Sequence, residues 1–279
     1  MITCLACRLK AARPYSFSLS LASVLYSLYL SRAPKMVCAI VTILCTLCLH
    51  ASINIIDDYF DKKNGVDTSG SIYKSFVDKT EYTSSEWHLK CFLALTMLSI
   101  VLGAYLVMQS NYIILSIGIT SISTTYFYSG GPRPLANMAF GEFLSFIFFG
   151  PIACYGTYYI QLSNIDNLQL LNSVSIGFFV SCVMLANNIR DIETDKIAGK
   201  LTIAVRIGEK TSKKLYIAFV VTAYLISLIL RNWAVLLSIP FAIMIIRNFL
   251  APQKEKLQNV MENTSALTLL YAALLCLKF

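Results

Sequence analysis

The chain has 279 residues, 57% of them hydrophobic and 14% charged, where soluble domains run at roughly 45–50% and about 25%; an ordinary water-soluble domain is excluded. The net charge of +8 fits membrane loops biased toward the cytoplasm, and no Lys/Arg-rich run interleaved with stacking aromatics stands in a polar segment, so nucleic acid is set aside as a partner. The nine cysteines lie mainly in apolar stretches, and the pair Cys4-x2-Cys7 has no second pair at zinc spacing, so neither a disulfide framework nor a zinc module is expected.

Apolar stretches near membrane-spanning length recur throughout and predict an all-α, multi-pass integral membrane protein of about nine transmembrane helices, a single transmembrane domain over residues 1–279. The first stretch, 15–31, follows Arg8, Lys10 and Arg13 like a signal peptide, but Ser31-Arg32-Ala33-Pro34 is a poor cleavage site; it is read as a retained helix. The second, 36–56, runs into Asn54-Ile-Ile-Asp57-Asp58-Tyr-Phe-Asp61, and a continuing helix puts Asn54, Asp58 and Asp61 on one face. His50, one turn earlier, reads as a core residue rather than a base. The polar loop that follows carries Asp67 and Lys79.

Stretches at 89–108 and 112–128 come next, the latter closing on Tyr126-Phe-Tyr128 and then Gly130-Gly-Pro-Arg133-Pro, where the chain turns sharply. The faces of Tyr126 and Tyr128 suit either an allylic cation or an interfacial belt, and Arg133 suits a phosphate or a simple loop charge. Glu142 stands near the start of the fifth stretch, 138–160, where an acid is a functional candidate. The sixth, 168–189, runs into Asn187-Asn188-Ile-Arg190-Asp191-Ile-Glu-Thr-Asp195, with Lys196 and Lys200 behind; Asn188, Asp191 and Asp195 repeat the three-and-four spacing of the first motif. Stretches at 213–230, 232–250 and 262–278 complete the set.

With the N-terminus inside, all Lys and Arg except Arg32, Lys35, Arg231 and Lys278 fall on that side, which places the N-terminus and both Asp-rich loops in the cytoplasm. Seven of the fifteen acids lie between Asp57 and Glu86 and four between Asp191 and Glu209. Loops after the second and sixth spans suggest a four-helix repeat whose equivalent loops meet over one cavity. Clustered carboxylates repel unless a cation sits among them, and an oxygen-only donor set points to Mg²⁺, which completes its octahedron with water and substrate phosphates. A diphosphate is thereby implied, with Lys79, Arg133, Arg190, Lys196 and Lys200 as candidate partners for its charge. The alternative is that these acids only solubilise loops.

At these residues the chain resembles the UbiA superfamily of intramembrane aromatic prenyltransferases, whose two Asp-rich motifs match Asn54-x3-Asp58-x2-Asp61 and Asp191-x3-Asp195. It is most similar there to the 1,4-dihydroxy-2-naphthoate polyprenyltransferases, through Tyr128-Ser-Gly-Gly-Pro-Arg133-Pro-Leu135, Gly141-Glu-Phe, Phe148-Phe-Gly-Pro151 and Leu185 to Thr202. Asp57 stands where many members carry Asn. The resemblance implies helices around a central cavity open to lipid, Mg²⁺ as cofactor, and transfer of a polyprenyl group from its diphosphate to dihydroxynaphthoate with loss of CO₂. Asp58, Asp61, Asp191 and Asp195, with Asp67 a further candidate, would then hold Mg²⁺; Asn54 and Asn188 would orient metal or phosphate, and Arg190, Lys196 and Lys79 would neutralise the leaving group. Other acceptors such as 4-hydroxybenzoate, and a multi-pass transporter, remain alternatives.

Overall fold

The computed structural model describes residues 10–63, 85–164, 168–251 and 256–277, and all regular structure among them is helical. Arg13 takes a left-handed conformation (φ 51°) and Pro14 opens a short 3-10 turn that leads into α1 (Phe17–Leu30). α2 (Met36–Lys63) continues past the apolar stretch through the whole first acidic motif, so Asn54, Asp58 and Asp61 ride on one rigid rod. α3 (Ser85–Met108) returns alongside it. α4 (Tyr112–Ser129) starts at Asn111, whose side-chain oxygen accepts from the Ile113 N–H at 2.9 Å, a cap worth about 1 kcal/mol.

α5 (Gly141–Leu162) is interrupted by a π-type turn at Phe148–Ile152 containing Pro151. Proline has no N–H to give back to the preceding turn, so the helix widens there, and Ser23 Oγ from α1 donates to the carbonyl of Phe149. α6 (Asn172–Arg190) is the central helix, with 78% of its stretch buried inside the protein. It packs against α5 on one side and against α8 (Ile203–Ile229) and α10 (Lys256–Leu275) on the others. Between α6 and α8 lies the short α7 (Ile192–Ile197). Gly208 (φ 78°, ψ 162°) breaks α8 near its start; only glycine takes this backbone without strain. A 3-10 turn, Trp233–Ser238, leads into α9 (Ile239–Leu250).

The apolar core lies where α1, α6, α8 and α10 meet. There Phe179 sits with its ring centroid 4.7 Å from that of Tyr271 and 5.8 Å from that of Tyr224, and both phenols are satisfied, by Ser227 and Ser238 respectively. Buried polar partners of this kind are required where no water competes for them.

Among the described residues six helices are long and apolar enough to cross a membrane: Met36–Asp61, Glu86–Met108, Gly141–Leu162, Asn172–Arg190, Glu209–Ile229 and Trp233–Leu250. The other three stretches expected to span, in α1, α4 and α10, are helical but stand outside those six. Six of the nine expected spans meet this measure of length and composition among the described residues. The chain is an all-helical integral membrane protein.

Candidate active site

A cavity of about 1040 Å³ lies between α2, α3, α4, α5 and α6. At one end its wall carries Asn54, Asp57, Asp58 and Asp61 from α2 and Asn188, Asp191 and Asp195 from the end of α6 and from α7. α6 stops at Arg190, yet the Asp195 N–H still donates to the Asp191 carbonyl at 2.8 Å, so the helical spacing carries over the junction and keeps both acids on the cavity side. Two motifs over a hundred residues apart thus line one chamber.

Most of these acids are already paired with bases. Arg13 Nη2 donates to Asp58 Oδ1 at 2.6 Å and to Asp57 Oδ2 at 3.3 Å, and Ser129 Oγ donates to Asp57 Oδ1 at 2.7 Å. Lys200 Nζ lies 2.5 Å from Asp61 Oδ1. Arg190 grips the neighbouring Asp191 through Nε (2.8 Å) and Nη2 (2.6 Å), and also donates to Asn187 Oδ1 and Gln258 Oε1. Burial opposes the Lys200 ammonium, but Asp61 and Asp57 beside it hold its pKa above the ordinary value.

Asp195 is buried and has no such close base. Burial pushes its carboxyl up to about 7, Asp191 and Asp57 push the same way, and Lys200 and Arg190 oppose them. A carboxyl raised in this way binds a proton in the fold that it releases in the unfolded chain. The resulting destabilisation is fully present above pH 7 and vanishes below the unfolded value of 3.8. Asp195→Asn is therefore expected to raise the melting temperature of metal-free protein at pH 8, with the gain shrinking as pH falls toward 4. Equal melting curves at pH 8 would count against this environment.

Behind Asn188 sits Glu142, buried at the start of α5. Its Oε1 accepts from Asn188 Nδ2 at 2.9 Å, its carbonyl accepts from Ser181 Oγ at 2.8 Å, and its Oε2 has no hydrogen-bond partner. With its NH₂ committed to Glu142, the Asn188 amide turns its carbonyl oxygen away from Glu142. Glu142→Gln keeps an acceptor for Asn188 and should stay within about threefold of wild-type rate, whereas Glu142→Leu should lose roughly 10–100-fold, the usual cost of removing a group that orients a ligand. A steady-state assay over a range of Mg²⁺ separates the two.

Of the other expected residues, Lys200, Arg190 and Tyr128 line the cavity. Tyr126, Arg133 and Lys196 do not: all three are exposed, and Tyr126 packs its ring on Phe60 and Phe127 instead. The helical repeat accounts for Tyr126, since two residues along α4 from Tyr128 is about 200° around the axis. Asp67 and Lys79 lie outside the described residues. His50 is a satisfied wall residue, bonded to Ser16 at 3.1 Å and Ser20 at 2.6 Å. Sequence reasoning missed Arg13 and Ser129 as partners of the first motif; the one local signal was an Arg placed directly before the proline that opens the first helix.

The donor set fits a divalent cation. Five aspartates and three bases line the acidic end, an excess of two negative charges once Asp195 is ionised, and every donor is oxygen, as Mg²⁺ prefers. Among the described residues no three His, Cys, Asp or Glu side chains converge as a closed metal cage. Mg²⁺ needs none, because it is commonly held by one or two carboxylates with water and substrate phosphates completing the shell.

The family model for the UbiA prenyltransferase family matches residues 16–273. The chain belongs to this family. As a member it is an enzyme of the prenyl-transferring class. A 1,4-dihydroxy-2-naphthoate octaprenyltransferase from Bacillus subtilis is 31% identical over 73% of this chain and 68% of its own length. UbiA prenyltransferase domain-containing protein 1 from Homo sapiens is 28% identical over 93% of this chain and 79% of its own. The fold matches that of a UbiA homolog from Archaeoglobus fulgidus bound to GPP and Mg²⁺, with TM-score 0.64 and 15% identity over 97% of this chain and 100% of the other. At that identity the likeness speaks for the fold.

Proposed function

We propose that this UbiA-family chain, acting as one unit, transfers a polyprenyl group from polyprenyl diphosphate to an aromatic acceptor with Mg²⁺ as cofactor, and that the acceptor is 1,4-dihydroxy-2-naphthoate. The observation that carries this reading is the pairing of acidic motifs from α2 and α6–α7 at one end of a single cavity whose remaining wall is largely apolar. The naphthoate acceptor is favoured by the relatives that bear that name, in Bacillus subtilis and in Mycobacterium tuberculosis at 31% identity.

In this reading Asp58, Asp61, Asp191 and Asp195 hold Mg²⁺, and Asn54 and Asn188 orient the diphosphate. The metal, when bound, supplies positive charge against the departing diphosphate. Arg13, Lys200 and Arg190 stand at these carboxylates and are placed to donate to phosphate oxygens. The allylic carbon–oxygen bond breaks with its electron pair leaving on diphosphate. The Tyr128 ring faces the same chamber and stabilises positive charge on the allyl group. The electron-rich naphthoate carbon that carries the carboxylate attacks, a carbon–carbon bond forms, and loss of CO₂ returns the electron pair to the ring. Water kept out by the apolar wall cannot capture the cation. The Asp-rich end and the N-terminus face the cytoplasm.

The test is purified protein with Mg²⁺, farnesyl or geranylgeranyl diphosphate, and either dihydroxynaphthoate or 4-hydroxybenzoate, with products identified by mass. A prenylated, decarboxylated naphthoquinol is the expected product. Prenylated benzoate instead keeps the chemistry and overturns the acceptor. No product from any acceptor with folded protein overturns the reading and favours transport, measurable in liposomes.

A further inference from the structure

Arg13 meets the first acidic motif from a backbone conformation that a residue with a Cβ does not favour. It is left-handed (φ 51°, ψ 61°), and such a conformation persists only where neighbouring groups hold it. Two side chains do so. Asn54 Nδ2 donates to the Ala12 carbonyl at 2.9 Å, and Ser16 Oγ donates to the Arg13 carbonyl at 2.8 Å. The carbonyls on both sides of the Arg13 Cα are thereby held.

His50, one turn before Asn54 on α2, stands behind both of them. Its Nε2 lies 3.1 Å from Ser16 Oγ and its Nδ1 2.6 Å from Ser20 Oγ. Its ring packs against Phe17 and Phe149, at centroid distances of 5.5 and 4.7 Å. The one hydroxyl hydrogen of Ser16 goes to the Arg13 carbonyl, so toward His50 Ser16 can only accept. The imidazole therefore carries its hydrogen on Nε2, and its bare Nδ1 takes the hydrogen of Ser20. Asn54 Nδ2 also lies 3.4 Å from Ser16 Oγ, which commits the amide NH₂ to this network and leaves the amide oxygen for the cavity. Ser16, Ser20, His50 and Asn54 are all buried. One chain of bonds thus runs from Ser20 on α1 through His50 and Ser16 to the backbone of Arg13.

We propose that His50 is a positioning residue for diphosphate binding: by keeping the Ser16 hydrogen on the Arg13 carbonyl, it holds the Arg13 guanidinium over the first acidic motif. This rests on reading the acidic end of the cavity as a diphosphate site. The ion pairs of Arg13 with Asp57 and Asp58 are not a fixed anchor there, because the proposed chemistry gives Asp58 to Mg²⁺. The backbone that carries Arg13 must then be held by something other than its own side chain. The bonds through His50 do this from inside the fold, where a ligand's partner is oriented by the buried groups behind it. His50 acts through Ser16 and Arg13 rather than on the substrate.

The experiment compares two variants of the full-length protein in detergent. His50→Phe keeps a ring against Phe17 and Phe149 and removes both nitrogens, whereas His50→Gln removes the ring but can donate to Ser16 and accept from Ser20. Three quantities are read: the affinity for inorganic pyrophosphate with Mg²⁺ by calorimetry, KM for geranylgeranyl diphosphate, and KM for dihydroxynaphthoate. His50→Phe should weaken pyrophosphate binding and raise the diphosphate KM by roughly 10–100-fold, the range lost with a group that orients a ligand's partner, with the naphthoate KM unchanged. His50→Gln should recover most of that loss. On an Arg13→Gln background, His50→Phe should add nothing, because the residue through which it acts is already gone. Wild-type pyrophosphate affinity in His50→Phe overturns the positioning role, and so does a full further loss on the Arg13→Gln background. A His50→Gln loss as large as that of His50→Phe, or an equal rise in the naphthoate KM, overturns it too. Wild-type protein that neither binds pyrophosphate with Mg²⁺ nor forms product overturns the diphosphate reading and the role of His50 with it.

Discussion

Asp191→Ala is expected to lower prenyl transfer by at least 10²–10³-fold, the range lost when one preorganised group that stabilises developing charge is removed. The same change should also weaken the fold. Arg190 has a side chain only 7% exposed and makes its two shortest bonds, 2.6 and 2.8 Å, to Asp191. Losing that partner takes the carboxylate from a buried guanidinium, which keeps its bonds to Asn187 and Gln258. The cost should be about 1–3 kcal/mol, below that of a fully buried pair, because Asp191 itself keeps 24% exposure. The two effects separate with Asp191→Asn, which retains an acceptor for Arg190 while losing the charge. The asparagine variant should melt near wild type and still be nearly inactive. An active asparagine variant would remove Asp191 from the proposed metal-binding role.

Gly150→Val should prevent accumulation of folded protein. Gly150 lies in the π-type turn of α5, and a Cβ placed there comes within 2.7 Å of the Gly177 Cα, 2.8 Å of the Ser173 carbonyl oxygen and 2.9 Å of the Gly177 nitrogen. All three obstacles are backbone of the central helix and cannot rotate aside. Gly177 is hemmed in the same way, its Cβ position lying 2.8 Å from the Phe146 carbonyl oxygen. Overpacking a core costs typically 1–3 kcal/mol when side chains can yield, and here the two helices must part. Gly103→Ala is the matched control: its Cβ meets nothing within 4 Å, and it should fold like wild type. The measurement is the monodisperse fraction after detergent extraction, followed by a thermal melt. A Gly150→Val protein with wild-type yield and melting point would mean that α5 and α6 do not approach this closely.

Helix positions were the most legible part of the sequence, because apolar runs of spanning length carry their own signal; the stretches expected at 36–56 and 89–108 appear as parts of α2 and α3. The convergence of the two acidic motifs was legible for the same reason, since each follows an apolar helix at helical spacing. The partners of the acids were not. Arg13 meets Asp58 across 45 residues and Lys200 meets Asp61 across 139, and spacing along a chain says nothing about such contacts. Arg13 read as one more inside-positive charge because the left-handed backbone that aims it cannot be inferred from its neighbours. Arg133, Lys196 and Tyr126 shared segments with cavity residues, but sharing a segment does not mean sharing a face. The count of spans was the weakest expectation: α1 is only 14 residues long and α4 carries many hydroxyl side chains, so length and polarity disagree with the apolar pattern there.

The internal ion pairs have a consequence for how the enzyme selects its ligands. On the proposed chemistry, Asp58, Asp61 and Asp191 would each have to give up a guanidinium or ammonium partner to hold Mg²⁺, and a lone diphosphate would draw the same bases away from carboxylates left bare. Arriving together, each ligand takes the partner that the other releases, and no charge stays uncovered. The two bindings are then reciprocally linked, each strengthening the other by one common factor. On the proposed chemistry, each internal ion pair thereby favours the two ligands together over either one alone.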